Sequence, residues 1–546
     1  MPHEAMIRIA GSKVLMPGYH TFHGTKCVGS EELLGDILRD YLKFDGVVVS
    51  DYGAVTQQEH VTGLVEQGAS ALNAGNDVEF PRNDAYQFLP KAIEQGIVTE
   101  QTFETAVKRV LTLKAALGML DENPNLYKKG HIELDRPDER QTAYTMATQS
   151  VVLLQNNGIL PLKDTKKIFL TGPNANNMWA MLGDYSYQGM SYFWKGNDPD
   201  DEHPHIVKLK EGLEKRMPAG FSVEYTRGCD WTEENETVIE AAGDERAQAW
   251  LVALLDRKID GKEEIDRAKA IKMAAESDVI VAAMSENTML CGENRDRKTL
   301  RLPGSQEQFV EELIATGKPV VLVMFGGRAQ IISNIADKCA AIIQAWYPGE
   351  EGGNALADIL YGNVSPSGKL SVSYPAEEIR QPICYNYGLE GDKRIAYPFG
   401  YGLSYTTFEY SNLKMDTLAT TNSEIHLSCD ITNKGNAEAD EIVQIYVSPS
   451  DQAQPLKPIQ LQGFERVSLK PGETKSVSFE LSSQQLGYYN NGHWSVDAGK
   501  YIIKVGASSA DIRLQGNVTL TGEQLNLSLR THYFAGQNKL GLDCVD

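Results

Sequence analysis

Apolar positions in the first part of the chain follow two alternating rhythms. Glu31–Lys43 places Leu33, Leu34, Ile37, Leu38 and Leu42 at helical spacing, which predicts one buried helix face. Gly46–Ser50 is an unbroken, β-branched string, the pattern of a strand covered on both faces in a parallel sheet. Lys13–Tyr19 predicts an earlier short buried strand, preceded by a helix over Pro2–Ala10. Thr56–Gln67 predicts a further helix and Ala71–Phe80 a further strand. Thr99–Leu117 reads as a long amphipathic helix with Thr99 as its N-cap. This β-α-β-α order implies a parallel sheet or barrel over residues 1–118.

The rhythm breaks at Leu120–Arg136, a polar stretch rich in Asn, Pro and Lys that predicts a linker, taken as residues 119–140. A second α/β block follows over 141–400. Its strand candidates are Val151–Leu154, Lys167–Thr171, Val279–Met284, Val320–Phe325 and Ala341–Trp346, with helices at Gln306–Ala315 and Asn354–Leu360 between them. Asp244–Ala275 is charged and helical in period, which predicts an exposed excursion. From about Tyr405 short β-rich segments take over: Glu424–Asn433, Glu441–Ser448, Thr474–Leu481 and Lys500–Val505. Turn signals at Asn433–Asn436 and Lys470–Glu473 separate them, as in a β-sandwich over 401–522. Residues 523–546 read as a tail.

Charge narrows the partners. The 546 residues carry 52 basic and 74 acidic side chains, a net charge of −22. Such a surface repels nucleic acid and anionic membranes, and suits neutral ligands such as sugars or simply keeps the chain in solution. No apolar run reaches the roughly 18 residues of a membrane-spanning helix. The seven cysteines, Cys27, Cys229, Cys291, Cys339, Cys384, Cys429 and Cys544, are scattered without CxxC spacing, which argues against a disulfide framework or zinc site. Met1–Gly11 lacks the apolar core of a signal peptide. Localisation is left open, with export to the periplasm or medium compatible with the rest of the chain.

Two carboxylates stand where chemistry could be done. Asp51 ends the Gly46–Ser50 strand, and in a β/α barrel the C-terminal ends of strands carry the active site. Gly53 permits a tight turn behind it. A carboxylate there could attack an anomeric carbon, hold a cation or cap the next helix. Glu293 lies in Cys291–Arg297, after the Val279–Met284 strand, crowded by Arg295, Asp296 and Arg297. It could be a general acid or one member of a solvated ion-pair cluster. Asn73 and Asp77 suggest turn chemistry, and Trp346 a core position. Gly326–Gly327 and Gly352–Gly353 lack the context of a dinucleotide fingerprint. Asn235, Asn363, Asn517 and Asn526 lie in N-x-[ST] sequons.

Longer stretches carry a family resemblance. Lys43–Val55 (KFDGVVVSDYGAV) resembles the nucleophile signature of glycoside hydrolase family 3, and Leu15–His20 (LMPGYH) its preceding barrel strand. Gly292–Gly304 (GENRDRKTLRLPG) is similar to the acid/base loop of that family. Trp346–Pro375 resembles the end of its α/β sandwich domain, and Tyr397–Tyr410 with Leu461–Glu473 its fibronectin type III-like domain. The resemblance runs in the family's order from about residue 2 to 520. It implies an α/β multidomain fold: the C-terminal part of a (β/α)8 barrel, an α/β sandwich domain and a fibronectin type III-like β-sandwich. It implies Asp51 as nucleophile and Glu293 as acid/base of a retaining exo-β-glycosidase without cofactor or metal. The expected activity is that of a β-glucosidase, with β-xylosidase as the alternative, acting on a β-linked oligosaccharide or aryl glycoside. Tyr19, Tyr52 and Met16 match positions lining the sugar subsite. Gly183–Gly189 (GDYSYQG) resembles the sandwich-domain loop beside the active-site mouth, with Tyr185 or Ser186 reaching an outer subsite or the loop serving only packing.

The chain departs from the family pattern at its start. The strand holding Tyr19 begins almost at once, where the family has about five earlier barrel strands that supply an aspartate, arginines and a Lys-His pair for the sugar hydroxyls. No Lys-His dipeptide occurs in the chain. A half barrel leaves a strand edge and apolar faces open, which predicts a homo-oligomer or a complementing barrel segment as partner. The alternatives are a truncated sequence, a split enzyme, or a chain that has lost catalysis. Rival functions are a non-catalytic carbohydrate-binding or assembly protein, told apart by binding without hydrolysis, and a glycoside phosphorylase. Glu293 disfavours the last, because a carboxylate repels phosphate.

Overall fold

The computed structural model describes residues 2–122, 135–187, 205–232, 263–288, 290–293, 297–378, 383–387, 392–450, 456–490 and 492–537. Most of the predicted linker, the first part of the Asp244–Ala275 excursion, Asn235, Arg295, Asp296 and Cys544 lie outside these residues. The chain divides into two compact units. One comprises Met1–Ile132, Ser482–Asp497 and Glu523–Asp546; the other comprises Glu133–Leu481 and Ala498–Gly522. Among the described residues no helix is long and apolar enough to cross a membrane.

The first unit is built around a short parallel core. Val14–Leu15 pairs in parallel with Val47–Val48, and Val49 bridges in parallel to Val78. Helices cover this core: Glu32–Tyr41, wound as a π-helix with Leu34 and Leu38 buried, and Leu64–Ala74, with Ala69, Ala71 and Leu72 buried. The long helix Glu100–Ala116 forms as predicted, and the Thr99 hydroxyl accepts the Thr102 amide at 3.1 Å. Asp77 ties these pieces together. Its buried carboxylate accepts from Arg39 at 2.8 Å, Arg109 at 2.9 Å and the Val48 amide at 2.8 Å. It is thus an ion-paired staple rather than a turn residue, while Asn73 donates to the Ile97 carbonyl. Two expectations are corrected. The helix expected over Thr56–Gln67 is a short turn, Ala54–Gln57, and the helix starts later, at Leu64. The buried Gln58 amide donates to the Val55 and Gln67 carbonyls, both at 2.9 Å, and so diverts the chain between them from helical bonding. The strand expected over Ala71–Phe80 shrinks to the bridge at Val78. Ala71, Leu72 and Ala74 are the buried face of the helix, a short apolar run that either period accommodates.

The second unit holds a six-stranded sheet in the order Val152–Asn156, Ala341–Trp346, Val320–Phe325, Val279–Ser285, Lys167–Thr171, Ser222–Tyr225, parallel except for the first pair. Every residue of Val279–Ser285 and Val320–Phe325 is buried. Helices Gln306–Ala315 and Gly352–Tyr361 form where the spacing predicts them. Trp346 packs against the core and meets Tyr374 edge to face at 6.4 Å, as the core reading expects. A β-sandwich follows: a three-stranded sheet Phe408–Met415, Glu424–Asn433, Thr474–Ser482, and a five-stranded sheet Leu418–Thr420, Ile512–Thr521, Gly499–Gly506, Ala439–Pro449, Gln460–Leu469. The described cysteines are free thiols, and burial pushes Cys229 and Cys339 up to about 12.

Candidate active site

In the first unit, candidate chemistry collects where the parallel strands end. Beyond Val47–Val48 the chain is locked by Ser50, fully buried, whose amide donates to Val78 O at 2.8 Å and whose hydroxyl accepts the Phe80 amide at 2.9 Å. Asp51 therefore leaves the sheet in a fixed place. Its Oδ1 accepts the Tyr52 amide at 2.7 Å, and Gly53, at φ 74°, turns the chain so that its own amide reaches Phe80 O at 2.9 Å. The cap of the following turn is Gly53, without a side-chain bond, so Asp51 does not serve as a helix cap. Tyr19 supports this corner, its hydroxyl donating to the Tyr52 carbonyl at 2.8 Å. Around it Met16, Tyr52 and Phe80 expose 58%, 64% and 42% of their surfaces, and the Tyr52 and Phe80 rings meet edge to face. Apolar and aromatic faces left open beside a carboxylate suit the C–H face of a sugar ring.

In the second unit the strand Val279–Ser285 leads into the Glu293 loop. The amides of Leu290 and Cys291 bond Asn287 O at 3.0 and 3.2 Å. The Glu293 amide donates to Asp184 Oδ2 at 2.9 Å, and the Tyr185 hydroxyl donates to the Glu293 carboxylate. Tyr185 is thus a partner of the candidate acid itself, while Ser186 contributes a backbone bond, its amide to Gly183 O at 3.1 Å. The rest of that loop, Gln188 and Gly189, lies outside the described residues. Arg297 is 5% exposed and pairs with buried Glu286 at 2.8 Å, so it does not belong to a solvated ion-pair cluster. Among the described residues no group of three or more His, Cys, Asp or Glu could hold a metal ion.

Comparison with known proteins decides the family. Residues 1–113 match the glycosyl hydrolase family 3 N terminal domain, 151–405 the glycosyl hydrolase family 3 C-terminal domain, and 441–509 the fibronectin type III-like domain. A β-xylosidase of Formosa agariphila is 32% identical over 540 residues, covering 93% of this chain and 69% of that protein. The chain belongs to glycoside hydrolase family 3. A periplasmic β-glucosidase of Salmonella typhimurium is 31% identical, covering 94% of this chain and 68% of its own length. The crystal structure of a Listeria innocua β-glucosidase in complex with glucose superposes with a TM-score of 0.79 at 27% identity, covering 96% of this chain and 71% of that one.

In this family 3 hydrolase, then, Met16, Tyr19, Asp51 and Tyr52 gather at the strand ends of the first unit, and Tyr185, Ser186 and Glu293 in two adjoining loops of the second. Sequence reasoning missed Asp184, Glu286 and Arg328. Asp184 sits next to a residue already singled out, and could have been found there. Glu286 directly follows the fully buried strand Val279–Ser285, a position where a lone acid invites the question of its partners.

Proposed function

We propose that this family 3 hydrolase is a retaining exo-β-glycosidase that removes terminal, non-reducing β-D-glucosyl residues by double displacement. The observation that carries the reading is the Asp51 corner: a carboxylate at the exit of a buried parallel strand, set by Ser50 and Gly53 and backed by Tyr19, beside open aromatic faces. In this mechanism Asp51 attacks the anomeric carbon and the aglycone leaves as Glu293 protonates its oxygen. Glu293 then takes a proton from water, which displaces Asp51 and releases the sugar. Tyr19 and Tyr52 hold the nucleophile's loop and the sugar face. Tyr185 fixes the Glu293 carboxyl, and Met16 walls the subsite.

The second reading, a β-xylosidase, is favoured by the 32% identical Formosa agariphila relative of that name. Purified chain is assayed on aryl β-glucoside and aryl β-xyloside, and the first-formed anomer is followed by NMR. Faster glucoside turnover with a β-configured first product, abolished by Asp51→Asn, is expected. Faster xyloside turnover selects the second reading. No turnover by a folded chain that still binds sugar rejects catalysis in favour of a carbohydrate-binding role.

A further inference from the structure

The strand Val279–Ser285 ends on a carboxylate that is sealed from solvent. Glu286 has a side-chain exposure of 0%. Its Oε1 accepts from Arg297 Nη1 at 2.8 Å and its Oε2 from Arg328 Nη1 at 2.9 Å. The same two nitrogens also reach the main chain: Arg297 Nη1 donates to Arg301 O at 3.0 Å, and Arg328 Nη1 to Leu290 O at 2.8 Å. One buried carboxylate therefore orients two guanidinium groups. Arg328 holds the carbonyl of Leu290, three residues before Glu293, and Arg297, four residues after Glu293, holds the carbonyl of Arg301. The main chain of Glu286 is itself held, its carbonyl accepting from Asn174 Nδ2 at 3.1 Å. Gly326, at φ 103°, makes room for the carboxylate's stem, since a Cβ there would stand 3.1 Å from Glu286 Cβ.

Such a cluster is costly to assemble. Apolar side chains of similar volume stabilise a strand end as well or better. What charge adds here is direction: bonds from a strand end to the chain on either side of Glu293, at Leu290 and at Arg297. We propose that Glu286 is a positioning residue for glycosidic-bond protonation, acting through Arg297 and Arg328 to hold the loop that carries Glu293. The proposal rests on Glu293 being the acid/base, and its test separates the two claims.

Glu286→Gln and Glu293→Gln are compared on a dinitrophenyl β-glucoside, whose leaving group needs little protonation, and on an alkyl β-glucoside, which needs it fully. With Glu293 as the acid, Glu293→Gln loses kcat/KM on the alkyl glycoside far more than on the dinitrophenyl one. Glu286→Gln then shows the same pattern, with a loss of about 100-fold on the alkyl substrate and little change on the other. Equal losses on both substrates, or none, overturn the positioning role. No leaving-group dependence in Glu293→Gln overturns the assignment of Glu293 instead. Arg328→Gln, which removes one staple and leaves the Glu286–Arg297 pair, repeats the test should Glu286→Gln fail to fold. Hydrogen exchange supplies a readout free of turnover: amides of Leu290–Arg301 exchange about tenfold faster in either folded variant while Val320–Phe325 is unchanged. Unchanged exchange in that loop rejects the proposal.

Discussion

At the scale of single residues, backbone strain gathers where the sheet strands of the second unit end. Ser285 stands at φ 87° and Trp346 at φ 57°, next to Gly172 and Gly326 at φ 105° and 103° on neighbouring strands. A side chain in such a conformation costs about 1–3 kcal/mol. The backbone of Ser285 is held by Gln306, whose Oε1 accepts the Ser285 amide at 2.6 Å and whose Nε2 donates to its carbonyl at 3.0 Å. Its hydroxyl is buried without a partner among the described residues. Ser285→Gly removes the strained Cβ and the unsatisfied hydroxyl while leaving both Gln306 bonds. After the entropy that glycine adds to the unfolded chain, a gain of about 1 kcal/mol is expected. Urea unfolding reads it as a higher midpoint at the same slope; a lower midpoint would show that the serine conformation is not strained. At this scale the resemblance of short motifs made Asp51, Tyr19 and Glu293 legible as candidates. The partners of Glu286 were not legible, because Arg297 and Arg328 reach it from 11 and 42 residues away and no local pattern records such a meeting.

Elements were read in proportion to how fully they are buried. Lys167–Thr171, Val320–Phe325 and Ala341–Trp346 have the predicted limits because strands covered on both faces carry near-continuous apolar runs. Ser222–Tyr225, at the sheet edge and only half-buried, carries no such run and was not read as a strand. Phe408–Met415, Gln460–Leu469 and Ile512–Thr521 were missed too, since their many exposed positions dilute the signal. In the first unit the parallel strands Val14–Leu15 and Val47–Val48 are two residues long, so the elements around them depend on side-chain staples such as Asp77. Asp77→Ala leaves Arg39, with 12% side-chain exposure, and Arg109 without their shared carboxylate, and leaves the Val48 amide without its acceptor. Removal of one partner from a buried pair costs about 3–5 kcal/mol. Thermal unfolding of the variant should lose the first unit at markedly lower temperature; a shift of under a degree would mean that the ion pairs are replaced by water at no cost.

At the scale of the molecule, segments 526 residues apart in the chain meet inside the first unit, at Arg530 and Glu4. Arg530, 5% exposed in its side chain, lies over the Trp494 and Tyr533 rings at 4.2 and 4.7 Å and bonds Glu4 on the helix Pro2–Arg8. The short strand Leu525–Leu527 pairs with His493–Val496 beside it. Arg530→Gln gives up both the charge-assisted bond and the ring contacts, and should cost the first unit about 2 kcal/mol. Faster hydrogen exchange over Pro2–Arg8, with the second unit unchanged, is the expected sign; unchanged exchange would show that the tail does not hold the start of the chain. Such a contact was illegible beforehand, for a tail of mixed polarity has no periodicity to announce what it packs against. By itself the sequence determined the order of parallel block and β-sandwich, the buried strands, the long helix after Thr99 and the two carboxylates worth testing. These rest on local burial period and short motifs, which the chain carries residue by residue. The tertiary structure alone decided that Tyr185 meets Glu293, that Glu286 pairs with both Arg297 and Arg328, and that Arg530 meets Glu4. Those pairings depend on distances through space, and the spacing of residues along a chain does not encode them.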